Sequence, residues 1–274
     1  MPRLNVIPHY EDLFPTPTST YRERVAHLLE TQFAAEPWYD WIKASLRHPC
    51  LGAADADPAA IIRRLAALCR QPVVGVVTGA LERLTGLVTP ETEEIACHLH
   101  PGRAPDRGGG LSFAPGKLLL GVAISDDWQG RLERGLAHEY SHTLRMAIWP
   151  QDTRHGYGAA RALTVRDYLV FEGLAEALAD ELYPYRGLMP DDLPPPVEAA
   201  YWTFIGPQLD ATGWPAYIDY ILCGSNEDLP GMAGYRVGAQ IIRSYMRRHG
   251  LPAVGIQKFG YEELYWDSAY PHIQ

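Results

Sequence analysis

Gly135-Leu136-Ala137-His138-Glu139-Tyr140-Ser141-His142-Thr143-Leu144-Arg145 holds the pattern His-Glu-x-x-His. Leu, Ala, Glu and Arg favour helix here. Residues four apart on a helix stand one turn apart on one face. The imidazoles of His138 and His142 therefore reach a single ion, and two imidazoles at that spacing suit zinc. Glu139 points about 100° around the helix from His138. It projects beside the metal, where a water in the open coordination position needs a general base. A structural zinc is normally closed by four protein ligands, usually including cysteine. No cysteine lies near this motif, and Glu139 has no purpose in a closed site.

An open zinc site needs a third protein ligand. Phe171-Glu172-Gly173-Leu174-Ala175-Glu176-Ala177-Leu178-Ala179-Asp180 reads as helix by its Ala, Leu and Glu content. Glu172 is the best candidate, and Gly173 beside it admits a close neighbour. Glu176, one turn later on the same face, stands where it can accept an N–H from a ligating histidine. The competing reading of both glutamates is a solvated helix face.

These stretches together resemble the gluzincin metallopeptidases, in which His-Glu-x-x-His is followed on a later helix by a glutamate ligand, often within Glu-Gly-x-Ala. A closer resemblance is to the bacterial YjaZ-like family of predicted zinc-dependent proteases. It is carried by Ala137 to His142, Glu172 to Glu176, and Gly234-Tyr235-Arg236-Val237-Gly238, and covers roughly residues 108–248. The resemblance implies a zincin-like α+β fold and one zinc per chain, held by His138, His142 and Glu172. It also implies hydrolysis of peptide bonds with Glu139 as the base. It implies no particular substrate.

Charge developing on a carbonyl oxygen during such a reaction calls for a donor besides the metal. Tyr235, flanked by small residues at the start of a helix, is the candidate; its other reading is a core tyrosine. Tyr140 and Tyr157 are weaker alternatives. The competing function is a zinc-binding, non-catalytic protein-interaction module on a peptidase fold. Metal content together with an open coordination position separates the two.

Composition sets the class. The chain has 274 residues, 47% hydrophobic and 21% charged, with a formal net charge of −9. That length supports a sizeable core, and that charge disfavours nucleic acid and anionic membrane as partners. A peptide or protein substrate is the expected partner. No apolar run approaches a membrane span, and residues 1–9 do not read as a signal peptide. Cys50, Cys69, Cys97 and Cys223 are dispersed, which fits a reducing, cytoplasmic setting.

Along the chain, residues 1–72 read as a helical N-terminal region and residues 73–274 as the zincin-like domain. Residues 1–18 look like an extended lead-in. Helices are expected from Ser19 or Thr20 to about Ala35, over about 37–46, and from Asp57-Pro58 to about Arg70. His9, His27 and His48 read as surface or packing histidines. Residues 73–88 are ambiguous between a β-prone valine run and a helix-prone stretch. Glu94 to His100 alternates as a half-buried strand, which leaves His98 and His100 on an exposed polar face. A Pro115-Gly116 turn precedes a strand from Lys117 to Ile124. The Gly-rich stretch from Gly108 to Phe113 reads either as a flexible loop or as a sheet edge. In the second case Gly109, Gly110 and Leu111 bind substrate backbone. After the motif helix, which ends at Pro150, come a connector over 150–162, a helix capped by Thr164, and a proline-rich loop over 184–196. Helices follow near 197–210 and 215–223, then from Tyr235 to His249, ended by Gly250 and Pro252.

Overall fold

The computed structural model describes residues 1–10, 58–101, 108–123, 127–148, 163–184, 193–222 and 229–270, with scattered positions between 12 and 34. Most of the helix expected over 19–35 lies outside the described residues. So do the helix over 37–46, the connector over 150–162, much of the proline-rich loop, His48 and Tyr157. The architecture is mixed α and β, mostly helical with one small sheet. It divides into two compact units, Met1–Glu139 and Tyr140–Gln274, with the boundary inside a continuous helix.

The first unit holds a four-stranded sheet. Its strands are β1 (Arg3–Pro8), β2 (Glu94–Pro101), β3 (Gly109–Ala114) and β4 (Lys117–Val122), in the order β1-β2-β4-β3. β1, β2 and β4 run parallel, and β3 pairs antiparallel with β4 across the turn at Pro115–Gly116. The extended lead-in is thus a sheet strand over Arg3–Pro8, pairing Arg3 with Glu94 and Ile7 with His98. Between β1 and β2, in the same unit, the described residues include α1 (Pro58–Leu68) and α2 (Val73–Leu87). The valine run resolves as helix because Val73, Val77, Ala80, Leu81 and Leu84 recur at helical spacing and are all buried. Burying one continuous stripe outweighs the modest strand preference of valine.

β2 shows the expected alternation, with Ile95, Cys97 and Leu99 fully buried. Its other face is less open than the alternation suggests. Pairing with β1 brings His9 over His98, their rings stacked at 5.2 Å and His9 Nε2 3.0 Å from His98 Nδ1. Burial, followed by the charges of His9 and Lys117, pushes the His98 imidazole down to about 4, with Glu94 opposing. Folded His98 therefore stays neutral while the unfolded chain takes up a proton below an ordinary pKa of about 6.5. The resulting stability is complete above about pH 6.5 and is lost as pH falls towards 4; its upper bound is about 3 kcal/mol. Denaturant titrations at about pH 7 and pH 4 check this. The wild type is expected to lose more stability between them than His98→Gln, and equal losses would remove His98 as the source.

α3 (Trp128–Ile148) carries the motif across the boundary between units. The second unit is helical: α4 (Val165–Leu182), α5 (Pro195–Ile205), α6 (Ala233–His249) and α7 (Tyr261–Trp266). Between α5 and α6 lie short helical turns, ending in a π-helical turn over Tyr217–Leu222. Thr164 caps α4 as expected. Its side chain accepts from Asp167 N at 3.1 Å, and Asp167 Oδ2 accepts from Thr164 N at 3.0 Å. Such a box contributes about 0.5–2 kcal/mol.

α4 is buried along most of its length, and its buried residues include the acidic Asp167, Glu172 and Glu176. Its tightest neighbour is α6. A Cβ on Gly173 would sit 2.2 Å from Gly238 O, and a Cβ on Gly238 would sit 2.2 Å from Leu169 O. Only glycine at both positions lets the two backbones approach this closely. That crossing sets the place of Glu172, the residue before Gly173. α6 ends at Gly250 in the left-handed conformation with φ 64°, followed by Pro252, as the sequence leads one to expect.

Candidate metal centre

His138, His142 and Glu172 come together. One ligand atom from each lies within 4.8 Å of the others, and all three residues are buried. His142 Nε2 is 3.3 Å from Glu172 Oε2. The imidazole of His142 stacks on Phe171, with centroids 4.1 Å apart and planes at 14°. Phe171 thus packs against the His142 ring, while its neighbour Glu172 places its carboxylate beside the same ring.

The cluster fits a zinc ion by its chemistry. Two imidazoles and one carboxylate form a nitrogen and oxygen donor set of the kind catalytic zinc uses. They stand close enough to share one ion, and placing a carboxylate out of water is offset by a bound cation. Cys97 is not one of the residues in this donor set. Burial, then the charge of Glu139, pushes its thiol far above the usual range.

Glu139 is buried and touches β3 closely. Ser112 Oγ lies 2.7 Å from the backbone oxygen of Glu139 and 2.9 Å from its Oε2. The hydroxyl donates to one of them at a time. A Cβ on Gly110 would lie 2.3 Å from Glu139 Cγ and 2.6 Å from Oε1. The side chain of Glu139 therefore packs directly against the Gly110 backbone. Gly109, Gly110 and Leu111 pair with Gly121, Leu120 and Leu119 of β4. The stretch left open between loop and edge is a strand, and β3 ends the sheet among the described residues.

Glu176 lies one turn beyond Glu172 on α4 and is buried; neither glutamate is on a solvated face. Tyr235 is buried near the start of α6, its hydroxyl 2.5 Å from that of Tyr217. Tyr217, at the head of the π-helical turn, donates to Glu172 Oε1 at 3.0 Å. Burial first, then the Glu172 charge, pushes the Tyr217 phenol well above its ordinary 10, so it is a neutral donor. Tyr140 is fully buried.

Below the motif, α3 is tied to the C-terminal segment. Ser141 Oγ donates to Gln257 Oε1 at 2.9 Å. Arg145 Nη1 donates to the carbonyls of Gln257 and Phe259 at 2.7 and 2.6 Å. Hydrogen bonds to a charged group are the stronger kind. They fix the half of α3 that bears His142.

Residues 100–265 match a protein family described as Predicted Zn-dependent protease (DUF2268). That span is more than half of the chain and holds His138, Glu139, His142 and Glu172. The chain belongs to this family. β1, α1 and α2 lie outside the part that matches the predicted Zn-dependent proteases. The chain is also similar to a protein of Bacillus subtilis (strain 168) named Uncharacterized protein YjfC, with 31% identity over 155 residues. That match takes in 51% of this chain and 48% of the relative, so the chain spans about half the length of the curated relative it matches. No solved structure matches.

Ser112, Phe171 and Tyr217 escape sequence reasoning, although all three touch the key residues. Ser112 left a signal. It stands two residues after Gly110, and alternate residues of a strand share a face. Phe171 is adjacent to Glu172. Tyr217 left none, since only the folded second unit brings it to Glu172.

Proposed function

We propose that this chain is a zinc peptidase of the gluzincin kind, nearest to the YjaZ-like proteases, with one zinc per chain. The observation that carries the proposal is the buried His138, His142 and Glu172 cluster with Glu139 one residue along the same helix. Bound there, zinc supplies a Lewis acid and lowers the pKa of water from 15.7 towards about 7.

The chain's own residues do the rest. Glu139 takes the proton of the attacking water and passes it to the leaving amine. Ser112 and the Gly110 backbone hold that carboxylate in one orientation. The edge of β3 at Gly109, Gly110 and Leu111, outermost in the sheet among the described residues, receives the peptide backbone by strand addition. Tyr235 donates to the carbonyl oxygen as charge develops there, its hydrogen turning from the Tyr217 oxygen to the substrate. Glu176 supports a ligating histidine. The substrate is a peptide or protein; nucleic acid and membrane are not partners. Among the described residues no helix is long and apolar enough to cross a membrane. Cys69 and Cys97 are free thiols, which supports a reducing, cytoplasmic setting.

A peptide-library digest read by mass spectrometry tests this. Cleavage products are expected from the purified chain. They should disappear with a chelator and return with added zinc. A protein that holds zinc and cleaves no peptide would favour the non-catalytic interaction module.

A further inference from the structure

The two oxygens of Glu172 are in different surroundings. Oε1 accepts from the Tyr217 hydroxyl at 3.0 Å, and Oε2 lies 3.3 Å from His142 Nε2. A carboxylate can bind a cation through one oxygen or through both, and a hydrogen bond to one oxygen favours binding through the other. Tyr217 is well placed to enforce that choice. Its ring packs on Tyr168 at 4.8 Å, one turn before Glu172 on α4. Its hydroxyl also meets that of Tyr235 from α6. The phenol is thus held by its own π-helical turn, by α4 and by α6, all within one compact unit.

We propose that Tyr217 is a positioning residue that fixes Glu172 as a one-oxygen ligand, occupying Oε1 so that Oε2 is the oxygen offered beside His142. The inference rests on reading His138, His142 and Glu172 as a metal site. It adds a residue that the His-Glu-x-x-His and Glu-Gly-x-Ala patterns do not contain.

Tyr217→Phe keeps the ring and removes only the hydroxyl. Zinc affinity, measured by competition with a chelator, is expected to weaken about 10–100-fold, the usual effect of removing such a partner. The visible spectrum of the cobalt-substituted full chain is expected to lose intensity as the carboxylate turns to bind through both oxygens and coordination number rises. In a Glu172→Ala background, Tyr217→Phe should have no further effect on affinity, because the two act through one contact. Tyr217→Phe, Tyr235→Phe removes both hydroxyls of the pair, and it carries the same test if the single variant does not fold. Unchanged affinity with superimposable cobalt spectra would overturn the proposal, as would an equal loss with and without Glu172. A wild-type chain that binds neither zinc nor cobalt would instead remove the metal site itself.

Discussion

Glu139→Gln is expected to keep its zinc and its melting temperature while losing hydrolysis by about 10²–10⁴-fold, the usual worth of a general base. The change preserves size and the amide oxygen that Ser112 can still donate to, but removes the proton acceptor. Glu139 points about 100° around α3 from His138, so no ligand is lost. The rate is read as kcat/KM on a peptide found in the digest, and zinc by elemental analysis of the same preparation. Gly110→Ala gives an independent handle. Its Cβ would lie 2.3 Å from Glu139 Cγ, so the strand or the carboxylate must move. Displacements of this size reach about 10²-fold in rate. Zinc should again be retained. A Glu139→Gln protein with full zinc and wild-type turnover would show that the base is some other group.

The site is half legible in the sequence, for a physical reason. Helical period alone brings His138 and His142 together and turns Glu139 aside, so a local pattern carries that chemistry. Glu172 is legible because its helix is announced by composition and capped by Thr164, although its distance from His142 depends on the crossing at Gly173 and Gly238. Contacts between elements distant in sequence leave no comparable trace. Tyr217 reaches Glu172 across 45 positions, from a π-helical turn that no periodicity announces. β1 is six residues long and pairs with a strand about 90 positions away, so it reads as a lead-in when seen alone. The His9 and His98 stack follows from the same pairing. Alternation separates the faces of β2, but only the parallel register shows that the polar face is covered. In α2 the opposite happens, because a buried stripe of long range overrides the valine run.

The second large effect concerns the metal. His138→Ala, His142→Ala is expected to empty the site, because both imidazoles of a three-residue donor set are removed. Wild-type stability should depend on zinc, since a ligand that binds only the folded chain stabilises it by about 4 kcal/mol at a thousand times its Kd. The double variant should melt at the same temperature with and without chelator, whereas the wild type should melt lower once chelated. The glutamates then rank by their contacts. Glu172 lies 3.3 Å from His142 Nε2 and belongs to the cluster. Glu176 is buried one turn further on, outside the donor set. Glu172→Ala should therefore weaken zinc more than Glu176→Ala, whose loss should stay within about 10–100-fold. Greater damage from Glu176→Ala in a zinc titration would exchange the two roles. Full zinc in the double histidine variant, with a melting temperature still lowered by chelator, would place the metal elsewhere in the chain.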